Sequence, residues 1–257
     1  MMLSIAIAGA GGRMGRALIA AAAQRNDLHI VGGTERADAL PRDVAIPVST
    51  DVAAAAANAD VWIDFSAPGA TVAALDALAP TNVRAAIVGT TGLSSEQEAK
   101  IAAAAKRIAV VRSGNFSLGV NLLAHLAREA AKRLGSDWDV EIVEAHHRRK
   151  VDAPSGTALL LGEAVAEGRN VALLDARLAP HDGITGARPE GGIGFASVRG
   201  GGIVGEHDVM FAAERELITL SHQALDRAVF ADGALAAALW AQNKPAGLYS
   251  MKDVLGL

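Results

Sequence analysis

Two adjacent histidines and three consecutive cations stand together in the stretch EAHHRRKVDAPSGTA, which runs from Glu144 to Ala158. The chain as a whole carries a formal net charge of -4, so this positive cluster differs from its surroundings. Histidine exchanges protons near neutral pH and lysine attracts anions, so these residue types suit proton transfer to an anionic substrate. A single histidine is more often structural and a run of cations is usually a solvated loop, so the cluster alone leaves both interpretations open.

The two histidines occupy different surroundings if DVEIVEAHH forms a strand, because adjacent side chains of a strand point to opposite faces. His146 and His147 then cannot do the same job from the same side. One would face a reacting centre, while the other contacts a carboxylate or packs. Adjacent histidines are also too close for one metal ion, and no carboxylates recur at a suitable spacing, so no metal site is predicted.

The turn PSGTA, which begins four positions after Lys150, favours the chemical interpretation. The segment TALLLGEAVAEG behind it has the composition of a helix, with Ser155 or Thr157 as its N-cap. The free backbone N–H groups of a helix start, together with a threonine hydroxyl, form a small anion site. Lys150 and His147 offer cationic partners for a second anionic group. The segment therefore predicts a small dianionic or dicarboxylate substrate, with a histidine or a lysine placed to handle a proton.

A glycine-rich turn near the N-terminus, GAGGRMG, predicts a dinucleotide site. Gly9, Gly12 and Gly15 stand three apart between a short apolar run and an Ala-rich helical segment. Glycines let the backbone approach a pyrophosphate, whose charge then lies at the helix N-terminus. The turn departs from the common G-x-G-x-x-G/A pattern because Met14 holds the last position, so alone it is weak evidence.

The residues after the next strands support this interpretation. Twenty residues after Gly15, the strand candidate HIVGGT ends at Glu35, where an acidic residue would bind a ribose 2′-hydroxyl. Arg36 follows and could instead pair with a 2′-phosphate, so NADH and NADPH are both expected. A surface ion pair is the alternative for these two residues. The segments GTTG and SGNF also close strands at the edge where ligands bind such sheets, although ordinary turns would explain them too.

The order of elements predicts an α/β fold with two parts. The first half alternates short apolar strands with Ala-rich helices, which indicates βαβ units and a parallel sheet covered on both faces. From about Ser117 the pattern changes to one long helix ending at Gly135, followed by strand candidates DVEIVEAHH, IVGEHDVMFA and ELITLSHQA. These predict an α+β unit with a largely antiparallel or mixed sheet. The helical tail could return to the first part.

The composition excludes several classes of protein. A mildly acidic chain of 257 residues lacks the basic surface of a general nucleic-acid binder. No run of 18 or more apolar residues exists, so no membrane span is expected. The N-terminal segment lacks the cationic region of a signal peptide, and there are no cysteines for disulfides, thiolate catalysis or Cys–zinc sites. We therefore expect a cytoplasmic protein.

The stretch EAHHRRKVDAPSGTA closely resembles the signature of the dihydrodipicolinate reductases (4-hydroxy-tetrahydrodipicolinate reductases) of bacterial and plant lysine biosynthesis. The likeness extends over nearly the whole chain, through GAGGRMG, TER, DFSAP, GTTG, GNFSLGVN, IGFASVRGGGIVGEHDVMF and GLYSMKDVLGL. It implies a Rossmann-like dinucleotide-binding domain of residues 1–117 and 227–257, and a central α+β domain, residues 118–226, that binds substrate and assembles a homotetramer. It implies reduction of a small cyclic dicarboxylate, dihydrodipicolinate, to tetrahydrodipicolinate by NADH or NADPH.

The resemblance also implies roles for individual residues. His146 is the proposed proton donor or acceptor and Lys150 the proton donor, and the sequence does not decide between them. His147, Gly156 and Thr157 would hold the substrate carboxylates, whereas Arg148 and Arg149 gain no specific role. The residues expected to line the cofactor are Gly9, Ala10, Gly11, Gly12, Arg13, Met14, Glu35, Arg36, Gly89, Thr90, Thr91, Ser113, Gly114, Asn115 and Phe116.

Two alternatives and one departure from the family stay open at this point. Some members carry an arginine where this chain has Ala67, which leaves Arg36 as the main candidate for binding a 2′-phosphate. Another Rossmann reductase of amino-acid metabolism, such as a homoserine dehydrogenase, would fit if HHRRK were structural. A dinucleotide-binding regulator without turnover would have no use for a proton donor. A phosphorylating semialdehyde dehydrogenase is excluded, because it needs a cysteine nucleophile.

Overall fold

The computed structural model describes residues 2–257, which form two compact units. The first unit consists of the chain up to Leu118 together with Ala228–Leu257, and the second is Gly119–Arg227. The strands are β1 Leu3–Ala8, β2 Leu28–Thr34, β3 Val48–Ser49, β4 Val61–Asp64, β5 Ala85–Val88, β6 Ala109–Arg112, β7 Asp139–His146, β8 Ile193–Arg199, β9 Gly205–Ala212, β10 Leu217–Ala224 and β11 Gly247–Tyr249. The helices are α1 Arg13–Ala22, α2 Val52–Ala55, α3 Pro68–Ala77, α4 Ser95–Ala104, α5 Leu118–Arg133, α6 Gly156–Arg169, α7 Leu173–Ala176, α8 Ala228–Ala241 and α9 Met251–Leu255. Among these residues, no helix has the length and apolarity that a membrane crossing requires.

The first unit contains a seven-stranded sheet in the order β11-β6-β5-β4-β1-β2-β3, in which every neighbouring pair is parallel. Its central strands β4 and β5 are buried along their whole length, as expected where helices cover both faces. Alternate residues of β1 enter two separate core clusters: Ile5 and Ile7 pack with α1 and α8, whereas Ala6 packs with α3 and α4. The predicted Rossmann-like sheet is confirmed.

The second unit contains a four-stranded mixed sheet in the order β10-β9-β7-β8, with only the β7–β8 pair parallel. Strict alternation in β7 buries Val140 and Ile142 on the face that packs against α5 and α6. The predicted α+β unit with a mixed sheet is confirmed.

Three details of the elements differ from the expectation. Strand β8 lies inside the segment expected to be only a glycine-rich region, because the glycines around it mask the strand propensity of IGFASVR. Strand β11 was not predicted within the helical tail, although it pairs with β6 at the edge of the large sheet. Strand β7 ends at His146, so His147, which the predicted strand included, lies just beyond the observed strand.

Candidate active site

The glycine turn after β1 leaves the start of α1 open to a ligand. Gly9 has a φ of +68°, a conformation that favours glycine, and its carbonyl accepts a hydrogen bond from the Gly12 N–H at 3.0 Å. Gly12 caps α1 without a side-chain hydrogen bond, so the first N–H groups of the helix can donate to an anion. A Cβ on Gly15 would lie 2.2 Å from the Gly9 carbonyl oxygen, so the turn and the helix approach closely.

The carboxylate of Glu35 closes the other side of this turn. Its two oxygens accept hydrogen bonds from the backbone N–H groups of Gly11 at 3.2 Å and Arg36 at 3.0 Å. The guanidinium of Arg36 pairs with Asp38 at 3.2 Å, and both of these side chains are mostly exposed. The acidic residue is thus fixed by the backbone, whereas the arginine stays in solvent contact.

A cavity of about 820 Å³ in the first unit lies beside this turn. It combines backbone donors at a helix start, a fixed carboxylate and an exposed guanidinium, which are the groups that bind the pyrophosphate and ribose of a dinucleotide. The residues present therefore fit a nicotinamide dinucleotide. The cavity is lined by Ala8, Gly9, Gly12, Arg13, Met14, Gly15, Thr34, Glu35, Arg36, Thr50, Val52, Asp64, Phe65, Ser66, Ala67, Ala70, Ala73, Ala74 and Ala77.

The other residues expected at the cofactor lie outside the lining of this cavity. The segments 89–91 and 113–116 follow β5 and β6 directly, at the same edge of the sheet as Gly9 and Glu35. The hydroxyl of Thr90 is buried 2.7 Å from that of Thr71. The side chains of Ala10 and Phe116 are buried in the core, so these two positions can offer only backbone atoms to a ligand.

In the second unit, β7 places Glu144 and His146 side by side on its buried face. The Nδ1 atom of His146 lies 2.6 Å from a carboxylate oxygen of Glu144. Among residues 2–257, the Nε2 atom of His146 has no hydrogen-bond partner. It lies over Gly205 of β9, where an added Cβ would come within 3.1 Å of it. The ring therefore has one fixed nitrogen and one nitrogen free for a ligand.

The Glu144 carboxylate is 1% exposed and accepts hydrogen bonds from several segments. The guanidinium of Arg199 donates to both oxygens, at 2.7 and 2.8 Å, and the Ser197 hydroxyl donates at 2.7 Å. The backbone N–H of Ser155 donates at 3.1 Å. Burial raises the pKa of Glu144, but the hydrogen bonds from Arg199, Ser197 and His146 outweigh burial and lower the pKa to about 2. Glu144 is therefore ionised at neutral pH in the interior of the site.

Helix α6 begins beside this carboxylate. Ser155 is its N-cap, and the Ser155 hydroxyl accepts a hydrogen bond from the Ala158 N–H at 3.1 Å. The same oxygen lies 3.1 Å from Nε2 of His207 on β9. Burial is the main cause that lowers the pKa of His207 to about 4, so this ring is neutral at neutral pH. The start of α6 is thus fixed by neutral hydrogen bonds of the Ser155 hydroxyl and by the bond from the Ser155 N–H to the Glu144 carboxylate.

The remaining predicted site residues follow β7 or begin α6. Lys150 extends its ammonium group to Asp152 at 2.9 Å, and its backbone N–H donates to the His147 carbonyl at 3.0 Å. Burial, then Arg227 and Arg149, lower the pKa of His147. Gly156 is the exposed first residue of α6 and Thr157 is half-buried behind it. Among residues 2–257, no group of three or more potential metal ligands occurs.

Four residues of this site were missed by the sequence analysis: Glu144 as an anchor, Ser197, Arg199 and His207. Strand parity contained a signal for one of them, since Glu144 is two positions before His146 and must share its face. Ser197 and His207 pair directly across the sheet with Glu144 in the observed register, and this register is not visible in a single sequence.

Comparison with known proteins gives a match over nearly the whole chain. The family model described as dihydrodipicolinate reductase, N-terminus, matches residues 3–116, and the model described as dihydrodipicolinate reductase, C-terminus, matches residues 119–255. The 4-hydroxy-tetrahydrodipicolinate reductase of Caulobacter vibrioides is 53% identical over 256 residues, which covers 99% of this chain and 97% of the relative. That of Methylocella silvestris is 50% identical over 266 residues, with the same coverage of both chains.

Solved structures give the same match at the level of the fold. The dipicolinate-bound dihydrodipicolinate reductase from Paenisporosarcina sp. TG-14 has a TM-score of 0.79 and 27% identity, and the match covers 97% of this chain and 98% of that one. The DAP dehydrogenase of C. glutamicum has a TM-score of 0.55 at 14% identity, covering 97% and 92% of the two chains, and shares only the fold.

Proposed function

This chain belongs to the dihydrodipicolinate reductase family, and we propose on that premise that it reduces 4-hydroxy-tetrahydrodipicolinate to tetrahydrodipicolinate with NADH or NADPH, in diaminopimelate and lysine biosynthesis. Loss of water from this substrate gives dihydrodipicolinate, and addition of a hydride and a proton then gives the product. The observation that carries the proposal is a buried, oriented histidine beside the start of α6 and a lysine. The first unit would bind the cofactor and the second the substrate.

The substrate has two carboxylates, and the second unit offers a partner for each. The N–H groups at Gly156 and Thr157 suit one carboxylate, because the start of a helix attracts negative charge. Lys150 supplies a positive charge for the other. His147 would bind as a neutral hydrogen-bonding group, since its pKa is lowered, and its buried Nδ1 has no partner among residues 2–257. The Paenisporosarcina relative is dipicolinate-bound, and dipicolinate is also a cyclic dicarboxylate.

Reduction of the conjugated C=C–C=N system requires a proton as well as a hydride. The bound dinucleotide would supply the hydride. His146 can exchange a proton through its free Nε2, and Lys150 can donate one from its ammonium group. An acid within hydrogen-bond reach typically contributes about 10²–10⁴-fold to the rate. We keep both residues as candidates for the proton donor.

For the cofactor, we propose that the chain accepts both NADH and NADPH. Glu35 is held by two backbone N–H groups beside the cavity, which suits a ribose 2′-hydroxyl, and Arg36 lines the same cavity. The change Arg36→Ala should weaken binding of NADPH by about tenfold and leave NADH nearly unchanged, since a charged hydrogen bond to phosphate contributes about 1.5–3 kcal/mol. Equal losses for both cofactors would remove this role from Arg36.

We also propose that the chain forms a homotetramer through the open face of the second unit's sheet. The helices of that unit pack on the other face, and the open face carries Val143, Val198, Met210 and Leu217. Two of these, Val198 and Leu217, are more than half exposed, so the face suits a second copy. Sedimentation equilibrium of the parent and of Val198→Glu tests this, and a monomeric parent would exclude it. A cytoplasmic location is proposed from the sequence alone.

Activity is tested by mixing the protein with reduced cofactor and freshly generated substrate, and following the loss of nicotinamide absorbance. His146→Gln and Lys150→Ala should each reduce kcat by about 10²-fold or more, while cofactor affinity is retained. Arg148→Ala is the matched control, because Arg148 lies between them and is exposed. No absorbance loss with the parent would exclude the reductase. A parent that binds the cofactor without turnover would favour the dinucleotide-binding regulator, whereas variants that turn over like an active parent would show that the catalytic assignment is wrong.

A further inference from the structure

The buried carboxylate of Glu144 forms hydrogen bonds with two side chains, the imidazole of His146 and the guanidinium of Arg199. Resting on the proposed function, we propose that Glu144 and Arg199 are positioning residues for the reaction. Glu144 accepts a hydrogen bond from the Nδ1–H of His146 and so leaves Nε2 as the atom that exchanges a proton with substrate. Arg199 offsets the charge that Glu144 would otherwise exert on the ring.

The geometry assigns Glu144 to orientation and excludes it as a proton acceptor. Its oxygens already accept hydrogen bonds from Arg199, Ser197, Ser155 and His146, so no lone pair remains directed at a substrate. A carboxylate fixed in this way selects one tautomer of the neighbouring imidazole, because only the Nδ1–H form can donate to it.

Arg199 also fixes the turn that carries the second candidate proton donor. Its Nη2 atom donates to the backbone carbonyl of Asp152 at 2.7 Å, and the Asp152 carboxylate pairs with Lys150 at 2.9 Å. The arginine therefore connects β8 both to Glu144 on β7 and to the segment after β7. Loss of the Arg199 side chain should therefore change the net charge near His146 and the position of Lys150.

The charged and titratable groups around His146 come from four segments. Glu144 lies on β7, Arg199 on β8, and His207 on β9 at 5.1 Å between ring centroids. His147, Lys150 and Asp152 lie in the segment after β7. The first turn of α6 carries no acidic residue, and His207 is neutral at neutral pH because burial lowers its pKa to about 4. The strongest fixed charges on the ring are thus Glu144 and Arg199, which have opposite signs.

Because Glu144 and Arg199 carry opposite charges, replacing each should move the titration midpoint of His146 in opposite directions. A role in stability alone would not produce this pattern. Glu144→Gln removes the negative charge and leaves Arg199 uncompensated, so protonation of His146 becomes harder and its titration midpoint should fall by about one pH unit. Arg199→Met removes the positive charge, so the midpoint should rise by a similar amount. Glu144→Gln should also lower kcat by about 10–100-fold with little change in KM, because the ring loses its fixed orientation.

The midpoint is measured by NMR titration of the His146 ring, assigned with His146→Gln, and kcat–pH profiles are recorded for the same proteins. Ser197→Ala is the first control, since it removes an uncharged donor to the same carboxylate and leaves both charges in place, so the midpoint should stay nearly unchanged. Arg188→Met is the second, because Arg188 pairs with Glu141 of the same strand and is similarly buried. Arg199→Lys keeps the charge and should restore a midpoint near that of the parent.

Midpoints that stay fixed, or that move in the same direction in both variants, would overturn the proposal, even if both variants were less stable. If Arg199→Met fails to fold, Glu144→Gln and Glu144→Asp decide the outcome: the first should move the midpoint and the second should keep it while lowering kcat. Because the titrations need no substrate, they still test the charge pair if the parent proves inactive as a reductase, which would refute only the proposed function.

Discussion

The candidate sites in the two units of this chain are formed by different kinds of groups. The site in the first unit consists mainly of backbone: a glycine turn, the start of α1, and a glutamate held by two N–H groups. The site in the second unit consists of buried side chains around Glu144, each paired with another across the sheet or with α6. One site depends on the path of the chain and the other on the balance of buried charges.

This difference predicts different sensitivities to substitution. A backbone site tolerates most changes of side chain, because the N–H groups remain, but it fails where a new Cβ meets the backbone. A network of buried charges tolerates changes in shape better than the loss of one partner, since the other charge then lacks compensation. The predictions below test this contrast, beginning with the largest expected effect.

Gly15→Ala should have the largest effect. The new Cβ would lie 2.2 Å from the Gly9 carbonyl oxygen and 2.8 Å from the Ala10 backbone, so the turn and α1 must separate. Overpacking against backbone costs about 3 kcal/mol or more, and binding of NADH and NADPH should weaken together by at least about tenfold. Thermal unfolding and fluorescence titration with both cofactors measure this.

Gly69→Ala is the matched control for this change. Gly69 lies in the first turn of α3 in the same unit, and nothing lies within 4 Å of a Cβ added there. Alanine should be neutral or slightly stabilising, because it favours a helix over glycine. Equal losses in the two variants would contradict a close approach at Gly15.

The same contrast explains which parts of the molecule the sequence could predict. The glycine turn, Glu35 and the Rossmann-like sheet leave local signals, because each depends on residues near one another in the chain. The Glu144 network depends on the register between β7, β8 and β9, which joins residues 53 and 55 positions apart. Strand β8 was missed for a related reason, since its pairing with β7 outweighs the glycines around it. Residues whose roles depend on near neighbours in the chain were therefore predictable. Their partners on other strands of the sheet were not.

His207→Gln should change how stability depends on pH. The pKa of His207 is lowered to about 4 in the folded protein, below the usual histidine value of about 6.5, so the unfolded chain binds more protons between these values. The stability contributed by the neutral ring is complete above pH 6.5 and is lost as the pH falls towards 4. This loss amounts to about 2–3 kcal/mol in the parent and should be absent in the variant.

Urea unfolding between pH 7 and pH 5 measures the slope of the unfolding free energy against pH, and Ser155→Ala is the control. That change removes the hydroxyl partner of His207 but leaves the titrating ring in place, so the slope should persist. Glu144 does not contribute in this window, because its pKa is lowered from 4.5 to about 2 and affects stability only at lower pH. The same slope in His207→Gln and the parent would contradict the neutral buried ring.

The N-caps of the two units offer a smaller contrast. Ser94 caps α4 of the first unit at the surface, whereas Ser155 caps α6 in the interior and also contacts His207. Ser94→Ala should cost about 1 kcal/mol, the usual value for an exposed cap. Ser155→Ala should cost about 2 kcal/mol, because a buried N–H and a buried imidazole lose their partner. Chemical denaturation of both variants measures the difference, and equal costs would show that burial adds nothing to this cap.

The smallest expected effect is at Asp38, an exposed residue beside the site in the first unit. Asp38 pairs with Arg36, whose side chain is 77% exposed, so releasing the arginine should affect cofactor affinity only slightly. Asp38→Asn should strengthen NADPH binding by about two- to threefold and leave NADH unchanged, because only NADPH presents a 2′-phosphate to the freed guanidinium. Asp43→Asn removes a similarly exposed charge, paired with Arg16, and serves as the control for general electrostatics. The gain should disappear at high salt, since exposed charges are screened. An equal gain in Asp43→Asn would assign the effect to net charge, and Arg36 would then have no special access to the cofactor.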